Sequence, residues 1–386
     1  MKKFFLPVVL VAGIFFTSCS SDDDNTGNGT EQADGIISSV NDPDFNPQDL
    51  KGSIQGNITL NANTEYLLTG ALTVEEGYTL TIEPGTTVKA QAGGTDVFLA
   101  VKQGAKINAA GTASAPITFT SAAASPSAGD WGGIMIIGKA QTNLGAEAMT
   151  EVAGVPYGGN DAADNSGVLS YIITEYTGAR VGADEEFNGI TFYAVGSGTT
   201  VNNILVRHTD DDGIEFFGGT VNVDNVLIIN NKDDMFDWTE GYSGTLTNLY
   251  GIREAGYEAV TEDPRGIEAD SNENDNSATP VSNPTIVNVS IINKSNAQMT
   301  DAIKIRRGSG ATITNAYIQS SADGFADVID LSDSAGNGLA STSINYTVNG
   351  GLDGSDVNDP VGANIVESAS NAGTSTSLFS WTGYQF

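Results

Sequence analysis

The chain has 386 residues, with 48 acidic against 16 basic side chains and a net charge of −32. That balance argues against nucleic acid and against electrostatic docking to anionic lipid, both of which need basic side chains, and it disfavours acidic polysaccharides unless a divalent cation or a local basic patch intervenes. A single cysteine and a single histidine exclude an internal disulfide and a histidine-rich zinc site, while 46 glycines with abundant Thr, Asn and Val argue for short strands, tight turns and almost no helix.

The chain opens Met1-Lys2-Lys3, runs apolar from Phe4 to Phe16, and offers Thr17 and Ser18 before Cys19 and an acidic run, Asp22-Asp23-Asp24. This layout reads as a cleaved secretory signal, and it resembles a bacterial lipoprotein signal in which Cys19 becomes the lipidated first residue of the mature protein. Phe16 departs from the leucine usual at that position, and an ordinary secretory signal with an incidental thiol is the alternative. Cleavage after Ser18 would remove Lys2 and Lys3 and take the charge from −32 to −34. In Bacteroidetes, acidic residues directly after the lipidated cysteine resemble the signal for export to the outer face of the outer membrane, which implies a lipid-anchored, surface-exposed protein. Residues 19–50 are polar and acidic, with Asn28-Gly29, Asp42-Pro43 and Asn46-Pro47, and read as a mostly disordered tether ahead of a domain spanning 51–386. Beyond the signal no run approaches 18 apolar residues, and no barrel alternation is present.

A looser repeat comes first: Leu72, Val74, Gly77 and Leu80 match Leu99, Val101, Gly104 and Ile107 at a spacing of 27, and Gly129-Asp130-Trp131-Gly132-Gly133-Ile134 opens another unit. The clearer repeat starts at Gly189-Ile190-Thr191-Phe192 and returns at Gly213, Met235, Gly266 and Ala302, at intervals of 24, 22, 31 and 36. Each unit continues with aliphatic, any residue, asparagine, aliphatic, at Val201–Ile204, Val223–Val226, Leu246–Leu249, Ile286–Val289 and Ile313–Ala316. Units of strand and turn with this spacing read as a solenoid whose coils bury a core only by stacking. The two-residue alternation slips once at each asparagine, so Asn203, Asn225, Asn248, Asn288 and Asn315 are predicted to turn left-handed and to stack as an amide ladder. The pattern resembles the right-handed parallel β-helix of pectate lyases and polygalacturonases, which implies an all-β, single-stranded solenoid. Two insertions, 141–167 and 254–284, are placed to wall a groove, and the apolar residues of Leu378–Phe386 are expected to cap the last coil.

Alternation on the repeat strands predicts an outward column: Thr191 and Tyr193, Glu215 and Phe217, Asp237 and Thr239, Glu268 and Asp270, Lys304 and Arg306. One reading is that outward residues are polar because water is there. The other is a saccharide site, with Tyr193 and Phe217 stacking on sugar faces, Asp270 and Arg306 binding the ligand, and Glu215, Asp237, Glu268 and Lys304 as candidate catalytic groups. Carboxylates one coil apart, about 4.8 Å, come near the separation used by retaining glycosidases. A second constellation, Asp211-Asp212 and Asp233-Asp234, is offset by 22 residues and falls on one corner. Such aspartates either cap turns and face solvent or hold calcium, and they match no EF-hand loop. His208, beside Asp210, reads as a surface residue; any Ser-His-Asp triad would have to use it.

Asp211-Asp212 imitates the aspartate pair of polygalacturonase-like hydrolases and Ile303-Lys304-Ile305 faintly echoes their Arg-Ile-Lys strand, but no Gly-His-Gly turn exists. A pectate-lyase-like reading would use Lys304, Arg306 or Arg307 near Glu268 and Asp270. Asp130–Ile134, Asp211–Val221, Phe236–Tyr242 and Arg265–Asp270 resemble a group of Bacteroidetes β-helix lipoproteins without a settled activity. The expectation is therefore a surface β-helix that binds glycan or serves a structural or adhesive role, with a polysaccharide lyase or glycoside hydrolase as the alternative and calcium as the one candidate cofactor.

Overall fold

The computed structural model describes residues 35–145, 148–182, 185–320, 324–350 and 356–386. Cys19 and Asp22 to Asp24 lie outside them. Among the described residues, 25 strands form one continuous sheet whose paired strands all run parallel, with a single short 3-10 helix at Thr376–Thr382. The fold is an all-β parallel β-helix solenoid. It starts earlier than residue 51, because Ile36–Ile37 pairs with Leu50–Ile54 and buries Ile37 completely. The second half of the expected tether thus belongs to the first coil, since Ile37 and Leu50 supply apolar surface that the next coil covers.

Register turns sequence repeats into columns. Leu72, Leu99, Ile134, Ile190, Ile214, Phe236, Ile267, Ile303 and Ile329 pair in succession, one per coil, along the inside of the solenoid. Each is at most 2% exposed, so each contributes about 1.5–3 kcal/mol of burial. Phe192, Phe216 and Tyr242 stack within the same core, at 5.3 and 4.5 Å between ring centres. Gly213 opens its strand because a side chain there would meet the Met235 carbonyl oxygen at 2.6 Å.

On the neighbouring side each coil contributes one long strand, such as Thr200–Arg207 or Asn222–Ile229, bent at its asparagine. Asn203, Asn225, Asn248, Asn288 and Asn315 all hold φ between 55 and 60°. Each side-chain amide donates to the oxygen of the one before: Asn225 to Asn203 at 3.2 Å, Asn248 to Asn225 at 2.9 Å, Asn288 to Asn248 at 2.8 Å and Asn315 to Asn288 at 2.6 Å. The ladder satisfies side chains that the left-handed bend leaves pointing along the stack.

The C-terminal segment does not cap the last coil. It folds back along the outside of the long strands, where Phe379, wholly buried, packs against Leu205, Leu227, Tyr250 and Ile292. Thr374 anchors it, its hydroxyl donating to the carbonyls of Leu249 and Asn288 at 2.7 and 2.8 Å. The physical reason is visible in the runs Ile204-Leu205-Val206 and Val226-Leu227-Ile228: with apolar residues on both faces, these strands need cover outside as well as inside.

Candidate acidic cleft

The site grows from one corner and the strand that follows it. At the corner the Asn188 side-chain oxygen accepts from the Asp212 N–H at 3.2 Å, Asp212 Oδ1 accepts from the Asp234 N–H at 2.9 Å, and Asp234 Oδ1 accepts from the Arg265 N–H. One oxygen of Asp212 and one of Asp234 therefore cap the next coil; the second oxygen of Asp234 lies 3.8 Å from the Arg265 guanidinium, and both second oxygens face the cleft carboxylates. On the strand after the corner, Thr191, Glu215, Asp237 and Glu268 occupy one register position on four successive coils.

This outward column is covered at the Thr191 and Glu215 end, while Asp237 and Glu268 stay half-buried. Thr191 is 2% and Glu215 9% exposed, because chain from outside the coils closes over them. Glu151 comes from the 141–167 insertion, Arg180 and Glu186 from the loop before Asn188, and Thr261, Glu262 and Asp263 from the 254–284 insertion. Together with the corner and the column they enclose a cleft of about 560 Å3. Two sets that were distinct in sequence, the corner aspartates and the strand carboxylates, face the same cleft. Eleven carboxylates line it against two guanidinium groups.

Both guanidinium groups are engaged. Arg180 meets Glu186, Asp210 and Asp211 at 2.9, 2.9 and 3.1 Å. Arg265 meets Glu268 at 2.9 Å, Asp263 at 3.0 Å and Asp301 at 3.1 Å. The excess negative charge shows in proton affinity. Burial, then the charge of Asp237, raises Glu215 well above the usual carboxylate range; burial, then Glu268, does the same to Asp237. Asp211, Asp212 and Asp234 are likewise raised, by burial first and then by neighbouring carboxylates. Burial and the charge of Glu186 push Glu151 up to about 8.

The donor set fits a hard divalent cation. Oxygens of Asp211, Asp212 and Asp233, of Asp212, Glu215 and Asp237, and of Asp234, Asp237 and Glu268 form three overlapping triads, each within 4.8 Å. A calcium ion with bonds of about 2.4 Å spans that separation. Asp237, shared by two triads, has a buried Oδ1 with no hydrogen-bond partner. An orphaned carboxylate oxygen surrounded by like charge is where a cation relieves most repulsion.

Other candidates lie elsewhere. Tyr193 is 1% and Phe217 8% exposed; they stack on each other at 4.6 Å, and Tyr157, Ala148 and Val152 from the insertion cover them. They serve packing and offer no face to a sugar, because the insertion covers the ground on which a ligand would lie. Lys304 is off the cleft wall and pairs with Asp330 on the next coil. Arg306 and Arg307 meet Asp270 at 2.9 and 2.8 Å, and Arg306 also meets Glu268 at 2.6 Å. These pairs tie coil to coil, so the basic groups that a lyase would need are held in ion pairs, and Asp270 takes a structural part. Sequence reasoning missed Glu151, Arg180, Glu186, Asp263 and Arg265 as cleft residues; the length of the two insertions was a signal for Glu151, Asp263 and Arg265, and none pointed to Arg180 and Glu186.

Comparison with curated proteins and with solved structures gives no match. A family model described as pectate-lyase like beta helix domain matches residues 52–384, and the chain belongs to that family.

Proposed function

We propose that the protein is a lipid-anchored cell-surface β-helix that binds a glycan at its acidic cleft through divalent cations. The observation that carries this reading is the column of Glu215, Asp237 and Glu268, stacked one per coil and opening with the corner aspartates into one walled space. In it, Asp212, Glu215, Asp234 and Asp237 are the cation ligands. Calcium bound there supplies positive charge to which sugar hydroxyls or a uronate carboxylate coordinate, which reconciles an acidic cleft with an oxygen-rich ligand. The arrangement at Cys19 and Asp22 to Asp24 supports the anchored, outward-facing location. Calorimetry with calcium, followed by a panel of neutral and uronate-containing oligosaccharides with and without chelator, tests the reading. Calcium binding weakened at least tenfold by Asp237→Asn, with glycan binding lost in chelator, is the expected result; glycan binding indifferent to chelator defeats it. Labelled palmitate on the wild type and none on Cys19→Ala tests the anchor.

A second reading, glycoside hydrolysis, is favoured by one observation: Glu215 and Asp237 present oxygens within 4.8 Å of one another, with strongly raised proton affinities. Carboxyl groups about 5 Å apart are the retaining arrangement, in which the protonated partner acts as acid and the other as nucleophile. Release of reducing ends from the same panel, abolished by Glu215→Gln, would establish turnover and set binding alone aside.

A further inference from the structure

Beside the acidic cleft lies a second cavity, of about 420 Å3, lined among others by Pro126, Tyr176, His208, Lys232 and Tyr257, and none of its lining residues is acidic. Tyr176 and His208 occupy the same corner of successive coils, following the paired Glu175 and Arg207, and both adopt left-handed backbone at φ 64° and 58°. Their rings stack at 5.5 Å and 11°. Burial and the neighbouring Arg207 hold the imidazole toward its neutral form. The remaining cation, Lys232, is paired with Asp210, so the cavity carries no uncompensated charge.

The two cavities are neighbours on one surface. Arg180, on the cleft wall, donates through Nε to Asp210 Oδ2 at 2.9 Å, while Lys232, on the second cavity's wall, takes the other Asp210 oxygen. The chain then crosses the divide: Tyr257 and Ala259 line the second cavity, and Thr261, Glu262 and Asp263 line the cleft. An extended ligand lying along residues 257–263 touches both.

We propose that this cavity is an aromatic subsite for a neutral sugar residue of the glycan whose neighbouring part lies in the acidic cleft; the proposal rests on the glycan-binding reading above. A pyranose ring has an apolar face for Tyr257 and for the free side of the Tyr176–His208 stack, and a rim of hydroxyls for the tyrosine oxygens, the imidazole and Ser127, which also lines the cavity. An anionic sugar gains nothing there, because Lys232 is already neutralised by Asp210.

His208 is the only histidine of the chain, so its imidazole resonances are a single, unambiguous reporter. In the full chain with calcium present, cellohexaose, mannohexaose and xylohexaose are titrated while those resonances are followed. At least one hexasaccharide is expected to shift them saturably, with affinity about tenfold weaker in Tyr257→Ala and kept within about threefold in Tyr257→Phe, while calcium binding by calorimetry stays unchanged. Unmoved His208 resonances with all three hexasaccharides, or equal affinity in Tyr257→Ala, overturn the subsite. If a hexasaccharide binds in a way that Asp237→Asn abolishes but leaves His208 unmoved, the subsite falls and the cleft reading stands. If His208 responds equally in Asp237→Asn, the subsite stands and the cleft reading falls.

Discussion

Glu215 and Asp237 hold the same register position on adjacent coils, with a carboxylate oxygen of each within 4.8 Å of the other. Were both ionised, their repulsion at that distance would be roughly 3 kcal/mol at an effective dielectric near 20. Parallel coil stacking leaves the pair little room to separate, since the backbone fixes their spacing. Protonation or a cation must relieve it, and that choice governs how the protein responds to pH and to metal.

Stability without metal falls as pH rises. The folded cleft holds protons above the ordinary carboxylate range while the unfolded chain releases them near pH 4, so the folded state binds more protons between those limits. Glu151, raised to about 8, marks the upper part of the window. Thermal melts in chelator should show Tm decreasing from pH 5 to pH 8, and calcium added at pH 8 should recover the loss. A Tm that rises across this range in chelator contradicts the assignment.

Asp237→Asn should raise Tm in chelator at pH 8, because one of the repelling charges is gone, and should shrink the increment that calcium brings. Paired melts of wild type and variant, with and without calcium, check both signs. Lower stability in chelator together with a full calcium increment would show that Asp237 is neither repelled nor a ligand.

Arg265 is the counter-charge inside the cluster, 5% exposed and within 3.1 Å of Asp263, Glu268 and Asp301. Arg265→Met removes it, leaving the buried Asp301 without its partner and Glu268 with Arg306 alone, a loss of about 3–5 kcal/mol. Urea unfolding measures it. Lowering the pH to 5 should return part of the loss, as the orphaned carboxylates take up protons.

Asn248→Ala breaks two rungs of the ladder and places alanine at φ 59°. About 1 kcal/mol for each bond and 1–2 kcal/mol for the backbone give a loss of about 3–4 kcal/mol. Asn248→Gly retains the backbone freedom and should lose about half as much. Equal urea midpoints for the two variants would show that the left-handed turn carries no strain.

Phe379→Ala empties a wholly buried site beneath the C-terminal segment and should cost about 3–5 kcal/mol, or release that segment if its local stability is smaller. Release exposes Leu205, Leu227, Tyr250 and Ile292 together. Increased binding of a hydrophobic dye without loss of strand signal distinguishes release from unfolding.

The solenoid, the asparagine ladder and the carboxylate column were legible in the chain because all three are periodic. Alternation assigns each strand residue a face, and a repeat near 22 residues lays like upon like, so Glu215 over Asp237 needed no coordinates. The outward face was misjudged for a related reason: alternation separates inside from outside but cannot tell whether outside is wet. Tyr193 and Phe217 point away from the core as read, and are nonetheless buried by Ala148, Val152 and Tyr157. The continuous apolar runs around Leu205 and Leu227 were the available sign that a second face would be covered.

Repetition within the chain thus determined the coil, its bends and which residues share a column, since each depends on steric rules acting over a few residues. Only the tertiary structure decided that the corner aspartates and the strand carboxylates face one cleft, that Glu151 and Arg180 close it, and that Lys304 is drawn off to Asp330. Those outcomes follow from how aperiodic insertions pack over the coils and from how charges tens of residues apart pair. No local pattern encodes either.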